Sequence, residues 1–304
     1  MDRASFRPFL TGGLAALLAA TLAGCARPRG IVVGSKNFTE QEILGEIAAQ
    51  HLERRLGAPV ARKLDIGGTL LAHEALVAGA IDLYPEYTGT ALTAVLKLPV
   101  ATDPKAVFET VAKEYRGRFN LVWLPPLGFD DTFAMVIRGA DARAEALETL
   151  SQAAARKRPW VLGVGYEFLQ RPDGLSGLQK TYALPLEGIP KSMDLGLLYA
   201  ALEQGQVDLV AANSTDGLLA ERDFKVLEDD KRYFPPYEAG LVVRESLFVN
   251  EPRARAALEE LSGSLTTAAM RRLNNLVVGK HRRPADVAKE FLDGVFLDGR
   301  PSGR

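Results

Sequence analysis

The sequence has little of what staples a fold or holds a metal. Its single cysteine in 304 residues allows no intramolecular disulfide. Three histidines, His51, His73 and His281, are scattered and cannot make a His/Cys zinc cluster. Neither charge is in surplus. The 37 Lys+Arg against 38 Asp+Glu give a net charge of −1, with no basic excess to hold nucleic acid. Beyond the N-terminal segment no long apolar run follows, so the chain does not build a channel by itself. A Gly-x-Ser-x-Gly elbow, a His-Glu-x-x-His helix and a P-loop are all missing, and a non-enzyme without cofactor or metal is expected. What is present, 47% hydrophobic and 25% charged residues, is ordinary globular usage. The length suits two domains at roughly 100–200 residues each.

Arg3 and Arg7 precede an apolar stretch at 9–23. At roughly 15 residues it matches a signal h-region and falls short of the roughly 20 that span a bilayer. It ends in Leu22-Ala23-Gly24-Cys25, which holds the lone cysteine. That ending resembles a bacterial lipobox, whose cysteine is diacylated and becomes the first residue of the mature chain. A plain secretory signal with a chance cysteine is the alternative. The expectation is a leader over 1–25 with Cys25 lipidated, then a tether over 26–30 broken by Pro28 and Gly30. The mature chain would be a soluble body anchored by lipid outside the cytoplasm.

From residue 31 strand and helix signals alternate. Ile31-Val32-Val33 reads as a strand, 40–56 as a helix with Thr39 as N-cap, and 60–66 as a second strand. Gly67-Gly68-Thr69 opens a helix to 78, and 81–84 is a third strand. The alternation predicts an α/β lobe with a mostly parallel sheet. The pattern then returns. Residues 75–83, Ala-Leu-Val-Ala-Gly-Ala-Ile-Asp-Leu, echo 201–209, Ala-Leu-Glu-Gln-Gly-Gln-Val-Asp-Leu, each a helix closed by glycine before a strand. Val33-Gly34 and Val164-Gly165 echo at nearly the same offset. Two α/β lobes of one topology follow, with Tyr87 and Asn213 equivalent just beyond strand ends. Ligands in open α/β sheets bind outside those ends, which points at a cleft between lobes. Two apolar segments, 132–137 outward and 237–243 back, would carry the chain across and act as hinges. Helices near 252–261 and 264–278 would return to the first lobe. The expected division is 31–135 for the first lobe, 136–236 for the second and 237–304 for the first again.

The longer motifs are specific. Gly34-Ser35-Lys36-Asn37-Phe38-Thr39-Glu40-Gln41, Gly67-Gly68-Thr69, and the run Asp82 to Thr90 (Asp-Leu-Tyr-Pro-Glu-Tyr-Thr-Gly-Thr) occur with Pro126-Leu127-Gly128-Phe129 and Ser214-Thr215-Asp216-Gly217. Together they resemble the substrate-binding proteins of osmoprotectant ABC importers, over nearly all of 31–300. The resemblance implies a bilobal, hinge-closing, type II periplasmic-binding-protein-like fold. It also implies an aromatic cage for a quaternary ammonium, which cannot donate N–H hydrogen bonds and is held by ring faces. Tyr87, Phe133, Asn213 and Tyr237 fall where that cage lies. Lys36, Thr90 and Arg171 fall where the ligand carboxylate is gripped, and Asp131 lies beside the cage. The sequence departs from a four-tyrosine cage at Phe133, which keeps a ring, and at Asn213, which removes one.

The implied function is capture of glycine betaine, carnitine or a related zwitterion and delivery to an ABC permease with its ATPase subunits, by a monomer. A larger betaine such as ergothioneine competes, because Asn213 offers an amide where a ring would stand. A ligand-presenting sensor is a further alternative. Plainer readings stand beside the sharp ones. Tyr84, Tyr87 and Phe133 suit core aromatics, Lys36 suits a mere lining of the following helix, and Arg171 suits a solvated loop arginine paired with Asp173. Asp130-Asp131 suits a solvated turn. Gly67-Gly68-Thr69 suits a helix entry or an anion site, residues 228–232 a solvated charged face, and His73 a structural role.

Overall fold

The computed structural model of the protein describes residues 30–296 and Met1. The expected leader beyond Met1, Cys25 within it, and the tether up to Arg29 lie outside the described residues. Ten strands follow in chain order: β1 (Val32–Gly34), β2 (Ala61–Lys63), β3 (Leu83–Tyr87), β4 (Leu121–Trp123), β5 (Phe133–Arg138), β6 (Leu162–Val164), β7 (Lys191–Ser192), β8 (Leu209–Asn213), β9 (Phe224–Leu227) and β10 (Ala239–Arg244). They form two five-stranded sheets, ordered β2-β1-β3-β10-β4 and β7-β6-β8-β5-β9.

The two sheets are built alike. β1 pairs parallel with β2 and β3, as β6 does with β7 and β8. β10 inserts antiparallel between β3 and β4, as β5 does between β8 and β9. The expected mostly parallel sheets are therefore mixed. Each receives one strand from a chain segment that arrives from the other half and runs against its neighbours. The echoed glycines explain why the repeat was readable. Gly79 and Gly205 each follow a helix end with φ +72° and +69°, in the left-handed region where a Cβ is penalised.

β5 lies wholly within the second sheet, so the outward crossing is complete before Phe133 and not at the expected division after 135. The return segment enters the first sheet at Ala239. The crossings run side by side as a short antiparallel ribbon. An Asp130–Glu238 bridge, the Asp131 N–H on the Tyr237 carbonyl (3.1 Å) and the Tyr237 N–H on the Asp130 carboxylate (2.6 Å) tie them.

The helix Thr39–Leu56 starts one residue earlier than expected. Phe38 occupies the cap position in extended backbone without a side-chain bond, and Thr39 is the first helical residue. The C-terminal helices appear as Arg253–Glu259 and Thr267–Val278, followed by an unanticipated Pro284–Phe296. Val287, Ala288 and Leu292 of the last are buried in one core with Val33 of β1 and Ile43, Ile47 and Leu52 of the helix Thr39–Leu56. The second sheet has its own core, around Met135, Trp160, Phe168 and Leu209. No described helix is long and apolar enough to cross a membrane.

Candidate functional site

A cavity of about 590 Å³ lies between the two sheets, of ordinary size for a small-molecule site. Its walls begin at the carboxyl ends of the parallel strands: Lys36 after β1, Tyr87 ending β3, Gly165 after β6 and Asn213 ending β8. The antiparallel strands contribute their starts, Phe133 of β5 and Tyr237 just before β10. Tyr87 and Asn213 sit at the last strand residues rather than beyond them, opposite Ala239 and Phe133 in register. All eight residues expected in the site line this one cavity, with Thr90, Asp131 and Arg171 completing the set.

The expected carboxylate grip is already internally paired. Lys36, only 3% exposed, places Nζ 2.6 Å from the Glu86 carboxylate and 3.5 Å from the Thr69 hydroxyl. Glu86 is fully buried and also accepts from the Tyr84 hydroxyl (3.1 Å) and the Tyr87 N–H (2.8 Å). Arg171 lies buried in the wall, so it is not a solvated loop arginine, yet it does pair with Asp173. Its Nε and Nη2 reach the two carboxylate oxygens at 3.0 and 2.5 Å, and Nη1 donates to the Thr90 hydroxyl at 2.9 Å. Thr90 thus supports the arginine as well as facing the cavity. Burial alone would raise the Asp173 carboxyl, but the Arg171 bonds and charge outweigh it and hold it below the usual range.

The aromatic walls touch these cations. The Lys36 ammonium lies 4.6 Å from the centre of the Tyr87 ring, and the Arg171 guanidinium lies 4.9 Å from Phe133 and 5.4 Å from Tyr237. Phe133 packs edge-on against Phe168 (4.9 Å) and Tyr237 (5.7 Å). The Tyr237 hydroxyl donates to Asp173 at 2.6 Å, and that of Tyr87 to Glu40 at 2.7 Å. The rings are therefore fixed through their polar tips.

Asp131 is buried and accepts from the Thr215 hydroxyl (2.8 Å) and N–H (3.3 Å), so it is not a solvated turn. Glu40 and Asp216 are among the further acids, not singled out from the sequence as site residues, that line the same cavity. Glu40 is held by Tyr87 and by the Asn274 amide (2.9 Å), and Asp216 by the Tyr199 hydroxyl (2.8 Å) and the Asn213 N–H (3.1 Å). Glu40 sat inside the quoted motif Gly34–Gln41 without a role assigned to it. Asp216 sat inside a quoted motif, and only the fold brings the two together.

The Gly67-Gly68-Thr69 entry does hold an anion, but one from the protein itself. The Glu167 carboxylate accepts from the Thr69 N–H (2.5 Å) and hydroxyl (3.1 Å), reaching from the second-sheet half to the helix Thr69–Val77. A Cβ on Gly68 would lie 2.6 Å from Glu167 Oε1, so a side chain there would displace this carboxylate. Burial favours the neutral form of Glu167, yet the charge of Lys36 and the Thr69 bonds hold its carboxyl below the ordinary value. His73 packs edge-on against Tyr115 and Phe119, away from the cavity lining, and burial keeps its ring less basic than usual.

Residues 29–294 match the family described as the substrate binding domain of the ABC-type glycine betaine transport system. The chain belongs to this family. It is a substrate-binding protein of an ABC-type transport system, a family of binding proteins and not of enzymes. It is 38% identical over 268 residues to an ergothioneine transport permease/ergothioneine binding protein of Helicobacter pylori (strain G27), covering 88% of this chain and 48% of that protein. The chain thus spans about half of that relative's length. It is 34% identical over 293 residues to a glycine-betaine-binding protein of Pseudomonas aeruginosa, covering 93% of each. The crystal structure of a glycine betaine/carnitine/choline ABC transporter protein matches at a TM-score of 0.74 and 30% identity, over 87% of this chain and 98% of that one. The bilobal, type II binding-protein fold is shared.

Proposed function

We propose that this cavity captures a zwitterionic quaternary ammonium compound larger than glycine betaine, with ergothioneine or carnitine as the chemical type, and presents it to an ABC permease. The observation that carries the reading is the opposite chemistry of the cavity's linings. Arg171 and Lys36, each pre-paired, still have N–H groups beyond those used in the bonds to Asp173, Thr90, Glu86 and Thr69. Tyr87, Phe133 and Tyr237 supply ring faces, and Glu40, Asp131 and Asp216 a negative lining. Size favours the larger ligand, because the cavity has room beyond one methylene between ammonium and carboxylate. Asn213 adds an amide that can hydrogen-bond a polar group on such a ligand. The 38% identity to an ergothioneine-binding relative supports the same choice.

A calorimetric panel of glycine betaine, proline betaine, carnitine, choline and ergothioneine tests this. Ergothioneine or carnitine should bind tightest, and choline, lacking a carboxylate, weakest. Choline binding as tightly as the zwitterions would overturn the carboxylate half of the reading. The protein would act outside the cytoplasm as a lipid-anchored monomer, with Cys25 as the anchor. Cys25→Ser should leave unacylated precursor, and normal mature mass with membrane retention would refute the anchor.

A further inference from the structure

One part of the cavity gathers carboxylates with which no cation pairs among the described residues. Glu40 comes from the start of the helix Thr39–Leu56, Asp131 from the outward crossing and Asp216 from the turn after β8. Thr215 and Asn274 link them. Asn274 donates to Glu40 and to the Thr215 carbonyl, and Thr215 donates twice to Asp131. Every donor to the three carboxylates, Tyr87, Tyr199, Thr215, Asn213 and Asn274, is neutral.

The basic side chains that line the cavity are engaged elsewhere, as is one beside it. Lys36 is on Glu86, Arg171 on Asp173, and Arg271 of the helix Thr267–Val278 donates to the Ser214 carbonyl (2.7 Å). Glu42, Glu167 and Asp194, the other acids that line the cavity, and Asp130 beside Asp131 add only negative charge. Among the described residues no ion pair reaches any of the three, and no metal-ligating group forms there. A second observation marks the same place. The Asn274 amide oxygen, on a side chain 4% exposed, has no hydrogen-bond partner among the described residues. It adds one more unanswered acceptor to the lining.

Two buried carboxylates, Glu40 and Asp131, and the partly buried Asp216 share a site without a counter-charge; they cannot all remain ionised, and they titrate as a group. Burial raises all three, and repulsion from Asp216 adds to Glu40 and Asp131. We propose that Glu40, Asp131 and Asp216 determine the cationic end of the ligand, and that capture exchanges a proton shared among them for the ligand's quaternary ammonium. This rests on the functional reading above. The balance is simple: one carboxyl O–H ionises, its proton goes to solvent, and the ammonium supplies the positive charge it carried. The ammonium has no N–H to donate, so the neutral donors keep their bonds to the carboxylates. With one proton released per ligand, affinity should tighten about tenfold per pH unit between the ordinary carboxylate range and the raised value.

The test is titration calorimetry with ergothioneine and with carnitine, each in phosphate and in imidazole buffer at one pH inside that interval. The slope of measured heat against buffer ionisation heat gives the protons exchanged. Release approaching one proton per ligand is expected, with a smaller slope in at least one of Asp131→Asn, Glu40→Gln and Asp216→Asn. Binding with no exchange, or with proton uptake, would overturn the inference and leave the functional reading intact. A wild-type slope retained in all three variants would overturn the assignment to these carboxylates. No heat from either compound, nor from the rest of the panel, would overturn both.

Discussion

Arg171→Ala is the obvious probe of the carboxylate grip, and the structure shows why it would mislead on its own. Arg171 is the only cation bonded to Asp173 among the described residues, and Asp173 is fully buried. Its removal leaves a buried carboxylate with only neutral hydroxyl partners, those of Tyr237 and Thr93. Breaking such a pair costs about 3–5 kcal/mol, or roughly 6–20 °C of melting temperature in a domain of this order. Loss of ligand binding in that variant would then report misfolding as readily as recognition. The double variant Arg171→Ala with Asp173→Asn separates the two. Asparagine keeps an acceptor for Tyr237 and removes the orphaned charge, so most of the melting temperature should return. Zwitterion affinity should stay low by about 2–5 kcal/mol, roughly 30-fold to a few thousandfold, while choline is little affected. Thermal melts read the first effect and calorimetry the second. A refolded double variant that binds the zwitterion as the wild type does would refute the role given to Arg171.

Stability should also depend on pH through the acid lining. Glu40, Asp131 and Asp216 keep protons in the folded chain at pH values where the unfolded chain has lost them, because burial raises them first and mutual repulsion adds for Glu40 and Asp131. Stability from this source is therefore full below the ordinary carboxylate range and falls as pH rises through the raised values. Isosteric Asp131→Asn should flatten that fall in ligand-free melts, and an unchanged pH profile would count against it. Asn213→Tyr places a ring beside Phe133, its register partner across β5 and β8. Glycine betaine should tighten by about 0.5–2 kcal/mol and a bulkier ligand should weaken; a uniform loss in calorimetry would mean the position is packed. Glu167→Gln weakens the bonds to Thr69 across the cleft. At about 1 kcal/mol it should speed ligand release severalfold in stopped flow with little change in association, whereas a change in association alone would refute a role in holding closure.

Much of the architecture was readable because it is written twice. The helix–glycine–strand units ending at Gly79 and Gly205 share composition and backbone need, and that placed Tyr87 and Asn213 at matching strand ends. What the pattern could not carry is strand direction. The apolar runs of β5 and β10 look the same whichever way they enter a sheet, so their antiparallel insertion was not legible. The helix Pro284–Phe296 is legible in the sequence, since Pro284 at its first turn and apolar Val287, Ala288, Phe291 and Leu292 are ordinary helix signals. Within the site, Arg171 with Asp173 could be guessed at two residues' spacing. Lys36 with Glu86, and the meeting of Glu40, Asp131 and Asp216, could not, because they are made by the closing of two sheets and not by any local pattern.

The way charge is distributed follows from what a hinged cleft must survive. When such a cleft opens, every buried ion in its wall meets water, and when it closes each must be satisfied again. Lys36 with Glu86 and Arg171 with Asp173 are pairs in which each cation carries its own anion, and neither depends on a ligand for neutrality. A carboxylate arriving there meets hydrogen-bond donors on a neutralised frame, which favours correct geometry over the capture of any anion. The acid lining is the reverse. Its carboxylates are drawn from both sides of the cavity and, among the described residues, are supplied with neutral donors only and pair with no cation. Closure brings them together, so the cost of their repulsion is incurred mainly in the closed form. A ligand that brings a permanent positive charge removes that cost and one that does not leaves it, so the same three residues select for the cation and couple its arrival to closing.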